Sequence, residues 1–151
     1  MFTKQEASIL KQQFWTSFGQ YMAPVPSANG LKINWINYKT GIKDLYFKMD
    51  ADNKAATISI IIAHSDAALQ TRFYNQFKQV KNLLKNALQE EWQWALLLPD
   101  ENNKTVSRIY TSLTGVSIFK KEDWPQIISF FKPRIIALDN FWYDVKDAFE
   151  I

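Results

Sequence analysis

The chain holds a single histidine, in the stretch Ile58-Ser59-Ile60-Ile61-Ile62-Ala63-His64-Ser65-Asp66. An imidazole beside a hydroxyl and a carboxylate is the raw material of a Ser-His-Asp relay, where the ring takes a hydroxyl proton and the acid orients the ring. That relay needs three side chains converging from different elements, which neighbours along a chain rarely do. The spacing suits another role better. Ser65 or Asp66 caps a following helix by accepting hydrogen bonds from its first amides, and His64 marks the exit of the apolar strand before it. No G-x-S-x-G elbow occurs, and Gly19, Gly30, Gly41 and Gly115 are too dispersed for a phosphate-cradling loop. No residue is therefore assigned a catalytic role.

Carboxylates are the next candidates. A Mg²⁺-dependent nuclease of the restriction-endonuclease-like kind places an acid on its second strand and an acid-x-Lys pair on its third, where the acids hold the metal and the lysine helps activate water. Asp44 or Asp50 has the place of the first acid. Asp52-Asn53-Lys54 has the spacing of the pair but falls in a polar turn, and the apolar run from Thr57 to Ala63 contains no acid and no lysine. A nuclease-like copy of this kind is expected to be inactive.

The remaining chemistry is binding. Tyr46 and Lys48 alternate onto one face of a strand, and Arg108 and Tyr110 onto one face of another. Rings interleaved with cations stack bases while neutralising phosphates. Lys78, Lys81 and Lys85 line one flank of a helix and are further phosphate contacts if they join that surface, or a solvated helix face if they do not. Arg108 carries a rival expectation: an ion pair with Asp139 or Asp123 from the C-terminal region.

Composition narrows the field. Cys is absent, which removes thiol nucleophiles, disulfides, iron–sulfur clusters and Cys-based zinc sites, and one His cannot furnish a His-rich metal centre. No cofactor and no resident metal is expected. The chain carries a net charge of +3, unevenly spread: residues 1–48 hold six lysines against Glu6 and Asp44, whereas residues 123–151 hold five acids against three cations. That asymmetry permits an acidic partner such as nucleic acid. No apolar run approaches the roughly 20 residues of a membrane helix, and Met1 leads almost directly into a helix start, so a soluble, cytoplasmic protein without a membrane partner is expected.

The elements that must position these residues follow from periodicity. Thr3-Lys4-Gln5-Glu6 has capping-box spacing, and Ala7, Leu10, Phe14, Phe18 and Tyr21 mark a helix to about Met22. Pro24, Pro26, Asn29 and Gly30 end it. Leu31, Ile33 and Trp35 alternate as a first strand, Leu45, Phe47 and Met49 as a second, and Thr57 to Ala63 forms an interior third, paired antiparallel with its predecessor. Leu69, Phe73, Phe77, Val80, Leu84 and Leu88 predict one long helix. Trp92 to Leu98 and Lys104 to Leu113 predict a hairpin closed by Gly115. Asp123-Trp124-Pro125-Gln126 offers an N-cap to a last helix, which Pro133 should kink or restart. The fold class is α+β: one domain over residues 1–151, order α-β-β-β-α-β-β-α, a mixed sheet with packed helices, and a degenerate restriction-endonuclease-like core as its nearest comparison.

Several short stretches give the chain a resemblance. Glu91-Trp92-Gln93-Trp94, Ser107-Arg108-Ile109-Tyr110, and Asp123-Trp124-Pro125 followed by Phe130-Phe131 are similar to those of a bacterial family known only as a domain of unknown function. Trp35-Ile36-Asn37-Tyr38-Lys39-Thr40-Gly41 resembles its stand-alone branch. The resemblance implies a domain found alone or fused behind a nuclease-like domain, hence a role near DNA metabolism or defence, and it implies no catalytic residue. Some members carry an acid on the strand before the long helix, where this chain has Ile61 and its neighbours. The expectation is a non-catalytic binding or accessory module contacting nucleic acid. A nuclease and a protein-interaction or homodimerisation domain are its rivals.

Overall fold

Thr3 begins the first helix with both halves of a capping box. Its hydroxyl accepts from the Glu6 amide at 3.1 Å, and its own amide donates to the Glu6 carboxylate at 3.2 Å. These bonds satisfy amides that a helix start leaves free, and they hold the Glu6 carboxyl below its usual range. The computed structural model describes residues 3–149. In it α1 runs Lys4–Met22 and buries Phe14, Phe18 and Met22. Tyr21, expected on the buried stripe, is exposed instead and lies under the Lys132 ammonium, 4.8 Å from its ring centre.

After α1 come β1 (Leu45–Ala51), β2 (Ala55–Ile62), α2 (Ala67–Gln79), α3 (Lys81–Leu88), β3 (Gln93–Pro99), β4 (Thr105–Thr114) and α4 (Trp124–Val145). The α+β class holds, with four helices and one four-stranded sheet ordered β1-β2-β4-β3. Every pairing is antiparallel, so the sheet is not mixed. β2 is interior and pairs antiparallel with β1, as its two-sided apolar pattern predicts.

Leu31 to Trp35 does not form a strand. Its alternation has no neighbouring strand to pair with, and its groups are taken by local turns and by side chains. The Ser27 amide donates to the Leu31 carbonyl, and the Asn34 side-chain oxygen accepts from the amides of Ile36 and Asn37. Trp35 is buried in the core, and its indole donates to the Val25 carbonyl at 2.9 Å. Only two strands therefore precede α2, and the three-strand order behind the nuclease comparison is not formed.

The expected long helix is broken at Val80 into α2 and α3. The Val80 amide turns to the Phe77 carbonyl, three residues back, where an α-helix would bond four back. The apolar stripe carries across the break, so Phe73, Phe77, Leu84 and Leu88 share one core. Pro133 has the opposite outcome, for α4 is assigned through it without a restart. Pro133 and Ser129 are both exposed, so the carbonyl that the proline cannot serve faces solvent. Asp123 stands at the start of α4, but its carboxylate accepts from the Ser117 amide at 2.9 Å and holds the preceding loop rather than the helix.

The helices lie on the sheet face bearing Leu45, Phe47, Ile58, Ile60, Ile62 and Ile109, and α4 contacts α1, α3, β1 and β2. Aromatic rings knit that layer: Trp142 meets Phe47, Phe77 and Phe149 at centroid distances of 5.6, 6.1 and 5.0 Å. Large aromatics thus dominate the core, as their number predicts. Among the described residues no helix is long and apolar enough to cross a membrane.

Candidate functional site

Because all the helices occupy one side, the other face of the sheet is left to its own side chains. β1 alternates buried and exposed at every position, which sends Tyr46, Lys48 and Asp50 outward. The register then aligns residues across strands. Lys48, Ser59, Tyr110 and Gln93 form one row, and Tyr46, Ile61, Arg108 and Ala95 form the next. Strands lie about 4.8 Å apart, so β1 and β4 side chains face each other across roughly 10 Å.

Tyr46 is 47% exposed. The Arg108 guanidinium lies over the Tyr110 ring at 4.3 Å, and the Tyr110 hydroxyl donates to the Gln93 side-chain oxygen at 3.1 Å. β2 supplies a low floor between these taller groups: Ala55, Thr57, Ser59 and Ile61. The hydroxyls of Thr57 and Ser112 share a hydrogen bond of 2.8 Å there. The result is a trough of about 340 Å³ along β2, with Lys48 on one wall and Arg108 on the other.

Acids close both ends. Asp50 and Asp52 stand at the β1–β2 turn, and Asp100 and Glu101 at the β3–β4 turn. Three of these are turn organisers. Asp50 accepts from the Ala51 amide, Asp52 from the amides of Lys54 and Ala55, and Asp100 from those of Asn102 and Lys104. Asp52-Asn53-Lys54 is thus a solvated turn held by its acid, as its composition predicts.

Four of the seven expected binding residues, Tyr46, Lys48, Arg108 and Tyr110, fall on this face. The other three do not. Lys78 lies over the Tyr74 ring at 5.3 Å, Lys81 over Trp94 at 5.7 Å, and Lys85 pairs with Glu91 at 3.1 Å. Trp94 pairs with core-facing Ile109, so these lysines ring the helix side of the molecule. They neutralise local π faces and one acid, and Lys85 holds the Glu91 carboxyl below its usual range.

The expected ion pair of Arg108 is also not formed. Asp139 accepts from the Tyr38 hydroxyl and from the Ala28 amide, and Asp123 is occupied by the Ser117 amide. Among the described residues no carboxylate pairs with Arg108, which stays on the open face. Asp44 and Asp50, the alternatives for a nuclease's first acid, have no acid on β2 to complete a metal site, since Ala55–Ile62 holds no Asp or Glu. Asp44 has φ +62° and passes its carbonyl to the Ala63 amide, so it shapes the entry to β1. Among the described residues no three His, Asp or Glu side chains converge on a metal position.

His64 resolves toward structure. It is 6% exposed and stacked on Phe73, with ring centres 4.7 Å apart and planes 6° apart. Asp66 caps α2 by accepting from the Ala68 amide at 2.9 Å, while Ser65 is exposed. The residue that sequence reasoning missed is Gln70, buried on the first turn of α2. Its amide nitrogen donates to the carbonyls of His64 and Thr105, at 2.6 and 2.8 Å, and its oxygen accepts from Ser107 at 3.0 Å. The Ser107 hydroxyl in turn accepts from the Leu97 amide at 3.0 Å. Leu97 has φ +51° inside the irregular stretch of β3 between Ala95 and Leu98, so this network fixes the kink where the hairpin leaves the sheet. A polar residue in an amphipathic helix gives no sequence signal of that long-range role.

No curated protein matches this chain, and no solved structure matches it. A family model does match, over residues 10–146, which cover all of the sheet and most of the helix layer. The chain belongs to that family, described as a domain of unknown function (DUF4268).

Proposed function

We propose that this domain is a non-catalytic binding module whose outer sheet face takes a short single-stranded stretch of nucleic acid. One observation carries the reading: Tyr46, Lys48, Arg108 and Tyr110, from strands two positions apart, stand in adjacent rows of a face that no helix covers. The exposed Tyr46 ring and the Arg108 guanidinium plane stack bases, and Lys48 and Arg108 neutralise phosphates between them. The acids at the two ends of the trough disfavour a polyanion running along β2. They favour one crossing the strands at mid-sheet, from Tyr46 and Lys48 toward Arg108 and Tyr110. Such a crossing spans roughly 10 Å, so few nucleotides are held and affinity is modest.

Fluorescence polarisation with single- and double-stranded oligonucleotides across a salt series tests this reading. Single strands should bind more tightly than duplex, and binding should weaken as salt rises. No binding of single strands at low salt would reject it.

A protein-contact reading has its own observation. β3 is an edge strand with exposed Leu96 and Leu98, an arrangement that invites pairing with another chain. Light scattering separates the two, since a monomer that binds oligonucleotide needs no such contact.

A further inference from the structure

We infer that the cleft between the 27–39 loop and the C-terminal half of α4 binds a small phosphorylated ligand of the mononucleotide class. The cleft lies on the helix side of the sheet, away from the outer face, and has a volume of about 350 Å³. That is within the roughly 300–1,000 Å³ range of small-molecule sites.

Its wall holds Asp139, a carboxylate that is only 5% exposed. Asp139 accepts from the Ala28 amide at 2.8 Å and from the Tyr38 hydroxyl, yet among the described residues it forms no ion pair. A carboxylate offers about four acceptor positions, so two filled positions leave others for a ligand's N–H or O–H donors. Burial makes an approaching donor worth more there than at the surface.

The rim carries the opposite charge. Lys39 and Lys146 both line the cleft and both are exposed. The Lys146 ammonium lies against Gly41, where a Cβ would meet it at 2.8 Å, and Gly41 has φ +85°. Tyr143, 60% exposed, adds a flat apolar face, and Asn37 adds an amide on the loop side.

These groups ask for a ligand with three parts. It needs donors for Asp139, an anion for two lysines, and a flat ring for Tyr143. A free phosphate would meet the charge of Asp139, and a simple amine would meet two ammonium groups. A nucleoside monophosphate satisfies all three demands, with its sugar or base edge toward Asp139 and its phosphate between Lys39 and Lys146.

The test is isothermal titration calorimetry of the full chain with AMP, GMP, adenosine, guanosine and inorganic phosphate. At least one mononucleotide should bind about tenfold or more tightly than its nucleoside and than phosphate. The double variant Lys39→Met, Lys146→Met changes only exposed side chains, and it should weaken the mononucleotide by a similar factor while leaving the nucleoside unchanged. No binding of any probe at millimolar concentration overturns the inference. So does phosphate binding as well as the mononucleotide, or a double variant that binds as the parent does. Loss of mononucleotide binding in Tyr46→Ala, Arg108→Ala with retention in the lysine variant would move the site to the outer face and also overturn it.

Discussion

Tyr46 and Arg108 occupy one cross-strand row of the outer sheet face, on β1 and β4, with Ile61 of β2 between them. Neither is held by a carboxylate among the described residues. An aromatic ring and a guanidinium plane, roughly 10 Å apart over an apolar floor, form two stacking positions joined by one strand width. The relationship depends on register: a slip of one residue in either strand would turn that strand's side chain into the core.

This pair gives the first prediction. Tyr46→Ala and Arg108→Ala should each weaken single-strand binding by about 1–3 kcal/mol, the usual worth of one base stacked on a side chain. Lys48→Ala should cost less at physiological salt and lower the slope of log affinity against log salt by about 0.7. Substituting Lys78, Lys81 and Lys85 with Ala should leave the affinity near the parent's, because those side chains serve the helix side. Polarisation titrations at three or more salt concentrations measure all of these. A triple lysine variant that loses binding while Tyr46→Ala keeps it would place the interface on the helices.

Much of this face is legible in the sequence, and the reasons differ by residue. The alternation of Leu45, Phe47 and Met49 against Tyr46, Lys48 and Asp50 reports a strand with one wet face, because side chains on a pleated strand alternate. Thr3 with Glu6, and Asp66 with Ala68, are local bonds between near neighbours, so spacing reveals them. Leu31, Ile33 and Trp35 show the same alternation as β1 but lack a partner strand, and a partner is a tertiary fact. The break at Val80 has no glycine or proline to announce it. Nothing in the spacing decides whether Arg108 meets Asp139 or Asp123 or stays on the surface, because Tyr38, Ala28 and Ser117 reach those acids from loops whose paths no periodicity predicts.

Gln70 provides a stability prediction. Its three hydrogen bonds join α2 to β4 and to the chain leaving β2. Gln70→Leu keeps the approximate volume but leaves the His64 and Thr105 carbonyls and the Ser107 hydroxyl short of a partner. The His64 and Ser107 groups are buried, and each buried orphan costs about 1–3 kcal/mol, so a loss of about 2–5 kcal/mol is expected. Ser107→Ala should cost less, about 1–2 kcal/mol, since it strands chiefly the Leu97 amide. Urea unfolding followed by tryptophan fluorescence measures both, and a Gln70→Leu midpoint equal to the parent's would contradict the network's role.

Tyr38 sets a pH dependence. Burial, then the hydrogen bond to Asp139, then the charge of that acid push its phenol well above the usual value near 10. The unfolded chain releases that proton near pH 10, and the folded chain does so only at higher pH. The stabilisation is therefore complete below about pH 10 and is lost as pH climbs toward the folded value. Tyr74, raised by burial alone, acts in the same direction. Tyr38→Phe should flatten the alkaline fall in stability and lower stability at neutral pH by about 1–2 kcal/mol through loss of the bond to Asp139. Urea midpoints from pH 7 to 11 compare the two chains, and parallel alkaline limbs would refute the assignment.

His64 decides between chemistry and packing at the place where the residue types offer a relay. It is buried against Phe73, and among the described residues its Nδ1 has no hydrogen-bond partner. A catalytic base needs reach to a substrate proton, whereas a stacked, buried ring offers an aromatic face and an unsatisfied nitrogen. His64→Phe keeps the ring and removes the orphan, so it should leave stability unchanged or raise it by about 1 kcal/mol. Oligonucleotide affinity should not move, because the outer face lies across the sheet from Phe73. Thermal melting and the polarisation assay read these two outcomes separately. A His64→Phe chain that folds as well as the parent but loses a measured activity would restore the relay that Ser65 and Asp66 suggest.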